Sequence, residues 1–243
     1  MLTDPTPHPF RSLPIRREFL VAAASALVLG GVARRPVELG DADEDAEATP
    51  LDLTRFLALG NTLAGRLVVD RSPLGQDRYL HALAALAVRL AGVPVPAMKE
   101  QAAPGYSLGF HEGGVPFTVL HWKLAPGAAI REHPHTYGNV VTLVLEGDVR
   151  IRNYELVGER DYEARGMFRV QRTCEAFLRP GGTNLVSLER NYVHGFLAGP
   201  NGARGLDITT RIRERRETPV LEIAAKPVDE AHGLYEASWK SGG

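Results

Sequence analysis

The histidine pair His133-Pro134-His135 stands between two stretches that read as strands, Phe117 to Leu124 before it and Val141 to Leu145 after it. Side chains at i and i+2 of a strand point to one face, so both imidazoles can reach a single metal ion. A Pro126-Gly127 turn precedes the pair. Glu146-Gly147-Asp148 reads as a second turn, and Val149 to Tyr154 resumes strict alternation. The spacing therefore predicts an antiparallel sheet with the two imidazoles facing its interior. A third histidine, His194, lies on a later strand-like stretch and completes a candidate ligand set.

The rest of the chain fits a mainly β fold. From Tyr106 onward short β segments are punctuated by Gly and Pro. Residues 176–178, 184–188, 193–197 and 205–212 read as further strands, with Gly199 to Gly202 as the turn between the last two. Several short strands at this spacing indicate a jelly-roll barrel. Upstream, Leu53, Phe56, Leu57, Leu63 and Leu67 recur at helical spacing over 51–69, with Asp52 as a candidate N-cap. Residues 77–90 repeat the signal through Tyr79, Leu80, Leu83, Leu86 and Leu90, and 70–75 reads as the turn between. These predict an αα-hairpin packed on the outside of the barrel. Val220 to Ile223 is a candidate edge strand.

The histidine region resembles the first cupin motif, in which five residues separate a Gly from His-x-His and a second Gly closes the pattern. Gly127, His133, His135 and Gly147 fall in register with it. The slot that usually holds a Glu ligand is occupied by Asn139 or Val140. Cupins that lack this carboxylate and bind iron through three histidines resemble the thiol dioxygenases: cysteine dioxygenase, cysteamine dioxygenase and the plant cysteine oxidases. The likeness to the cysteamine and plant branch extends to Pro134, to Gly147 twelve residues after His135, to Asn191 shortly before His194, and to the Leu206-Asp207 step. It covers roughly residues 117 to 212.

There are departures from that family. The general second motif, Pro-x-Gly-x-x-His, begins at Pro180 but meets Leu185 where a His is expected, so the assignment of His194 rests on the following Leu206-Asp207. The Pro-Pro-Tyr after the family's Asp is replaced by Ile208 to Arg211. No cysteine lies near Val140, so a Cys-Tyr crosslink cannot form there.

The resemblance implies Fe(2+) held by His133, His135 and His194, with a small cysteine-like thiol and dioxygen as partners and a sulfinate as product. There is a physical reason for the missing Glu. Three neutral imidazoles leave the ion its full charge, which favours an anionic thiolate. Two alternatives stand beside this reading: a metal-dependent cupin dioxygenase or isomerase acting on a non-thiol small molecule, and a non-catalytic metal- or ligand-binding cupin.

Supporting catalytic candidates are Tyr137, Asp207 and Arg131. Tyr137 follows the pair closely and either hydrogen-bonds substrate or packs. Asp207 matches the family's Asp and is the candidate to orient His194. Arg131 precedes His133 by two, so a regular strand would put it on the same face, where it could hold a carboxylate; a solvent-facing Arg is the alternative. Glu132 would point the opposite way. His121, one strand earlier, is the reserve third ligand. His81 reads as a surface histidine.

Composition narrows the rest. A formal net charge of −1 argues against nucleic acid as a partner. The single cysteine, Cys174, excludes an intrachain disulfide and reads as a packed residue. Arg16-Arg17 followed by the short apolar stretch 21–30 fits a twin-arginine (Tat) signal, too short for a membrane span. It predicts export through the twin-arginine machinery to the periplasm, with no stable membrane insertion after processing. A cleavage site is placed after Ala46-Glu47-Ala48. The expected organisation is a signal peptide and acidic linker over 1–48, a helical extension over 49–103, a cupin barrel over 104–215 and a tail over 216–243.

Overall fold

The computed structural model describes residues 49–111, 116–214 and 219–240. The twin-arginine segment, the acidic linker and the candidate cleavage site lie outside the described residues. Among the described residues no helix is long and apolar enough to cross a membrane.

Two helices come first, α1 (Leu53–Val69) and α2 (Pro73–Ala87). Asp52 caps α1 as expected, its Oδ1 accepting from Arg55 N at 2.7 Å. The second helix starts four residues earlier than the apolar spacing suggests. Ser72 caps it by accepting from Gly75 N at 3.1 Å, and Pro73 sits at its first position, where proline's fixed φ suits a helix start. The turn expected over 70–75 is therefore partly helical.

Ten strands follow: β1 (Lys99–Glu100), β2 (Tyr106–Phe110), β3 (Phe117–Leu124), β4 (Ala129–Pro134), β5 (Gly138–Leu156), β6 (Phe168–Leu178), β7 (Thr183–Val186), β8 (Val193–Arg211), β9 (Val220–Ile223) and β10 (Leu234–Lys240). They form one curled antiparallel sheet in the order β1-β2-β3-β8-β5-β6-β10-β9, with β4 on β8 and β7 on β5. Val220 to Ile223 is the edge strand that its sequence suggests. The fold is thus mainly β, a curled antiparallel sheet with an N-terminal αα-hairpin.

Two expected turns are bends instead. β5 runs without a break through Glu146-Gly147-Asp148, and β8 runs through Gly199 to Gly202, its pairing with β5 shifting register on either side of Gly147. Gly147 (φ 72°) and Gly202 (φ 75°) adopt left-handed backbone that favours glycine. They also touch: a Cβ on Gly147 would lie 2.1 Å from the Gly202 carbonyl oxygen. The glycines let two 19-residue strands kink together rather than reverse.

The two faces of the sheet are packed differently. Phe117, Val119, Val141, Leu143, Leu206 and Ile208 bury one face against Phe56, Leu80 and Leu83 of the helices. Tyr79 of α2 hydrogen-bonds Thr210 of β8 at 2.7 Å beneath them. On the inner face Trp122, Val144, Val149, Ile151 and Phe196 make a second core. Asn153 and His194 continue that inner face toward the far end of β5 and β8.

Candidate metal centre

The three histidines meet at the end of β4 and the start of β8. His133 pairs with His194 across the strands, and His135 follows the last residue of β4, its backbone N–H donating to the Tyr192 carbonyl at 2.8 Å. The ring centroids are 5.1, 4.9 and 4.7 Å apart, and one nitrogen from each ring lies within 4.8 Å of the others. His135 and His194 are buried, whereas His133 is partly exposed and opens one side of the cluster.

Hydrogen bonds behind the rings fix which nitrogen faces inward. His133 Nδ1–H donates to the Arg131 carbonyl at 2.9 Å. His194 Nδ1–H donates to Asn184 Oδ1 at 3.4 Å. Each bond leaves Nε2 with its lone pair aimed at the cluster, the arrangement of a metal-ligating imidazole held from behind. Asn184 is itself clamped. It exchanges reciprocal amide bonds with Asn153, at 2.7 and 3.2 Å, and Asn153 also donates to the Asn191 carbonyl at 3.2 Å. Asn191 is the one non-glycine residue with positive φ among those described (φ 55°), a conformation asparagine tolerates better than most residues.

Electrostatics favour a cation here. Burial holds the His135 and His194 rings well below the usual imidazole range, with neighbouring imidazoles adding to the effect. Burial also lowers His133, against the pull of the Arg131 carbonyl. The rings are therefore neutral at pH 7. His135 Nε2 and His194 Nε2 lie 2.8 Å apart in a buried site. Two ligands about 2.1 Å from one ion, at a right angle to each other, would sit about 3 Å apart. The donor set thus fits a first-row divalent ion: the three histidines could hold a metal, through Nε2 in each case.

The structure separates the other candidates from this cluster. A bulge lies between Ile130 and His133, where the pairing to β8 slips by one residue. Ile130 and His133 both face inward, so Arg131 and Glu132 share the outer side, opposite Gly195. Arg131 is exposed there and lines an outer cleft; its carbonyl, behind the His133 ring, is the group that reaches the metal centre. The expectation that Arg131 shares the His133 face fails because the strand is not regular. Glu132 does point away, packing over Gly195, where a Cβ would come 2.9 Å from its Cδ.

Asp207 is buried on the inner face of β8, but its partner is Thr142, whose hydroxyl donates to Oδ1 at 2.7 Å. The group behind His194 is Asn184, not Asp207. Burial pushes the Asp207 carboxyl up to about 7, against the opposing pull of Thr142 and Trp122. Tyr137 lies just before β5, partly buried, its carbonyl accepting from Ile212 and Arg213.

His121 is buried on the helix-covered side and does not join the cluster. Arg204 donates to its Nε2 at 3.1 Å, and its Nδ1 lies 3.2 Å from His111 Nε2. Of the two residues in the usual carboxylate slot, Asn139 turns outward, its Oδ1 accepting from Leu188 N at 3.1 Å. Val140 is fully buried and alternates to the inner side. Cys174 is half-buried, and burial raises its thiol pKa. His81 is exposed on α2.

Asn153 and Asn184 escaped the sequence reading. One signal was there: Asn153 interrupts the inward column Val149, Ile151, Asn153 with a polar side chain, and such a residue needs an interior partner.

No protein-family model matches the sequence, and neither does any curated protein. Solved structures with a similar fold are cupins. KdgF from Halomonas sp. is 18% identical with a TM-score of 0.35, covering 48% of this chain and 89% of its own. A cupin superfamily protein from Desulfitobacterium hafniense is 16% identical with a TM-score of 0.33, covering 50% and 94%. An oxalate oxidase is 14% identical with a TM-score of 0.35, covering 47% and 56%. Each likeness spans about half of this chain and is one of architecture.

Proposed function

We propose that this chain is an exported, mononuclear iron enzyme that oxidises a small cysteine-like thiol to its sulfinate with dioxygen. The observation that carries the reading is the donor set. Three neutral imidazoles come together, no carboxylate joins them among the described residues, and a buried valine, Val140, occupies the slot where cupins usually carry a Glu. Divalent iron at His133, His135 and His194 would supply binding of a thiolate and of dioxygen at one centre. The reaction balances without a reductant, since one thiol and one dioxygen give one sulfinic acid.

The chain's own part follows from its geometry. The uncharged ligands leave the site cationic, so an anionic sulfur is favoured over a neutral alcohol or amine. The Asn153–Asn184 pair and the Arg131 carbonyl hold His194 and His133 with Nε2 inward. Burial of His135 and His194 limits water, and the partly exposed His133 side is the approach for substrate. Tyr137, next to that side in sequence, is the candidate to hydrogen-bond substrate. The twin-arginine pathway, which exports folded proteins, suits a metal site filled before export.

The test is oxygen uptake by purified, iron-loaded protein with cysteine, cysteamine, 3-mercaptopropionate and a peptide bearing N-terminal cysteine. One thiol should give sulfinate in step with oxygen consumed. Metal-loaded protein that consumes no oxygen with any of them overturns the thiol reading and leaves a non-thiol cupin reaction as the better one. Val140→Glu sharpens the choice. A carboxylate added there should keep metal bound but lower thiol-dependent uptake by about a hundredfold or more, because it removes positive charge and a coordination position.

A further inference from the structure

Loop 187–192 joins β7 to β8 and delivers the third histidine. It also touches what holds two of the three ligands. The Tyr192 carbonyl accepts the backbone N–H of His135, and the Asn191 carbonyl accepts from Asn153, the partner of the Asn184 that stands behind His194. Asn191 does this from left-handed backbone, a conformation that persists only where the surroundings impose it. The placement of His135 and His194 therefore depends on what fixes this loop.

Several elements fix it. The Leu188 N–H is shared between Asn139 Oδ1 of β5 at 3.1 Å and Gln76 Oε1 of α2 at 3.3 Å. Glu155 Oε1 accepts from Asn191 N at 2.8 Å, and the Tyr192 hydroxyl accepts from Leu156 N at 2.6 Å. One side chain, Arg160, reaches across the loop. Its guanidinium donates to the Leu188 carbonyl and, at 2.8 Å, to the Glu189 carbonyl. It lies 3.0 Å from Glu189 Oε2 and stacks over the Tyr192 ring, 4.4 Å from the centroid. The planar fork of arginine meets two carbonyls and a ring face together, which a single ammonium does not. The exposed ion pair with Glu189 adds little by itself, so the grip on the loop backbone and on Tyr192 is what Arg160 contributes.

We propose that Arg160 is a positioning residue for the metal centre, setting through loop 187–192 where His135 and His194 present their Nε2 atoms. The inference rests on the reading that the three imidazoles hold a metal. Arg160 touches none of them. It acts through Tyr192, whose ring it stacks on and whose carbonyl holds the His135 backbone, and through the turn that carries Asn191 to the Asn153–Asn184 pair. A metal constellation works within about 0.5 Å of its ideal geometry. A loop released at 188, 189 and 192 therefore loosens the site with every ligand still present. Arg160 is at the surface, so replacing it opens no cavity in the core.

The test is titration of the full-length protein with cobalt(II), followed by visible absorption bands whose shape and intensity report coordination geometry. Wild type should bind about one ion per chain. Arg160→Gln should bind about tenfold more weakly and with altered bands, while its far-UV circular dichroism stays that of the wild type. Arg160→Lys keeps the charge without the fork and should show the same loss, which keeps the test valid if the Gln variant folds poorly. Glu189→Gln removes only the exposed ion pair and should match wild type. Wild-type affinity and bands in both Arg160 variants overturn the proposal, even where urea stability falls, because Arg160 then serves the fold alone. An equal loss in Glu189→Gln overturns it as well. A wild type that takes up no cobalt, or a His135→Ala variant that takes up as much, overturns the metal centre itself and this proposal with it.

Discussion

The two long strands β5 and β8 pass through two regions of opposite character. At one end Val141, Leu143, Leu206 and Ile208 lie dry beneath α1 and α2. At the other end the same face of the same strands carries Arg150 and Arg152 and is covered by no helix among the described residues, while the inner face gives up apolar packing for Asn153 and His194. The helix-covered end is redundant in its chemistry, many contacts of one kind, each replaceable at a graded cost. The histidine end is the reverse, a few polar groups linked in one hydrogen-bonded chain, where removing one strands the next. The apolar packing beneath the helices and the candidate metal site lie at different ends of one pair of strands.

The largest effect is expected at the histidine end. His135→Ala removes one of three ligands, so metal content after loading should drop from about one ion per chain to background, and any metal-dependent activity with it. The far-UV circular dichroism of the variant should stay that of the wild type, because the core beneath the helices is untouched. A variant that still retains metal tightly would mean that His133 and His194 have another partner than His135, and the comparison would lose its sharper half.

The second effect comes from the other end. Leu83 on α2 is fully buried against the sheet. Leu83→Ala should cost about 2–5 kcal/mol in urea unfolding, through lost transfer energy and the cavity left behind. Metal affinity of the folded fraction should not change. If that affinity fell in parallel with stability, the two ends would be one cooperative unit rather than a scaffold and a site.

How much of this was legible in the sequence also divides along the strands. The amphipathic helices, the Asp52 cap and the alternating strands could be read because each depends on local periodicity alone. The His133, His135 spacing could be read for the same reason, and the site gained His194 from pattern. Three features could not. The bulge that turns Arg131 outward is a pairing irregularity between β4 and β8, invisible in either strand by itself. Gly147 and Gly202 looked like two turns because glycine marks reversals and kinks alike; only their contact across the sheet tells them apart. The Asn184 support of His194 joins residues from β7 and β8 whose juxtaposition depends on the whole curled sheet. Asp207, assigned by resemblance to the same role, is instead paired with Thr142.

That buried Asp207 offers the finest test of the comparison, because it sits on the inner face just beneath the helix-covered end. Its carboxyl is pushed up to about 7 in the folded chain, chiefly by burial, against an ordinary value of 3.8. Between roughly pH 4 and 7 the unfolded chain has lost this proton and the folded chain has kept it. Folding then takes up a proton, so the contribution of Asp207 to stability falls as pH rises across that window, by up to about 1.4 kcal/mol per pH unit. The buried histidines act in the other sense. Their folded pKa values are depressed, so the stability they contribute is lost as pH falls below about 6.5. Both trends are present in the wild type, and only one is present in Asp207→Asn, whose amide is neutral throughout and close in shape. The difference in unfolding free energy between the two metal-free proteins should therefore tilt steadily in favour of the variant from pH 5 to pH 7 and level off above. Urea titrations at four pH values would measure it. Parallel curves would mean that Asp207 is ionised in the folded chain and that this stretch of the inner face holds a charge. In that case the polar region would extend beyond the histidine end and along β8 as far as the helices.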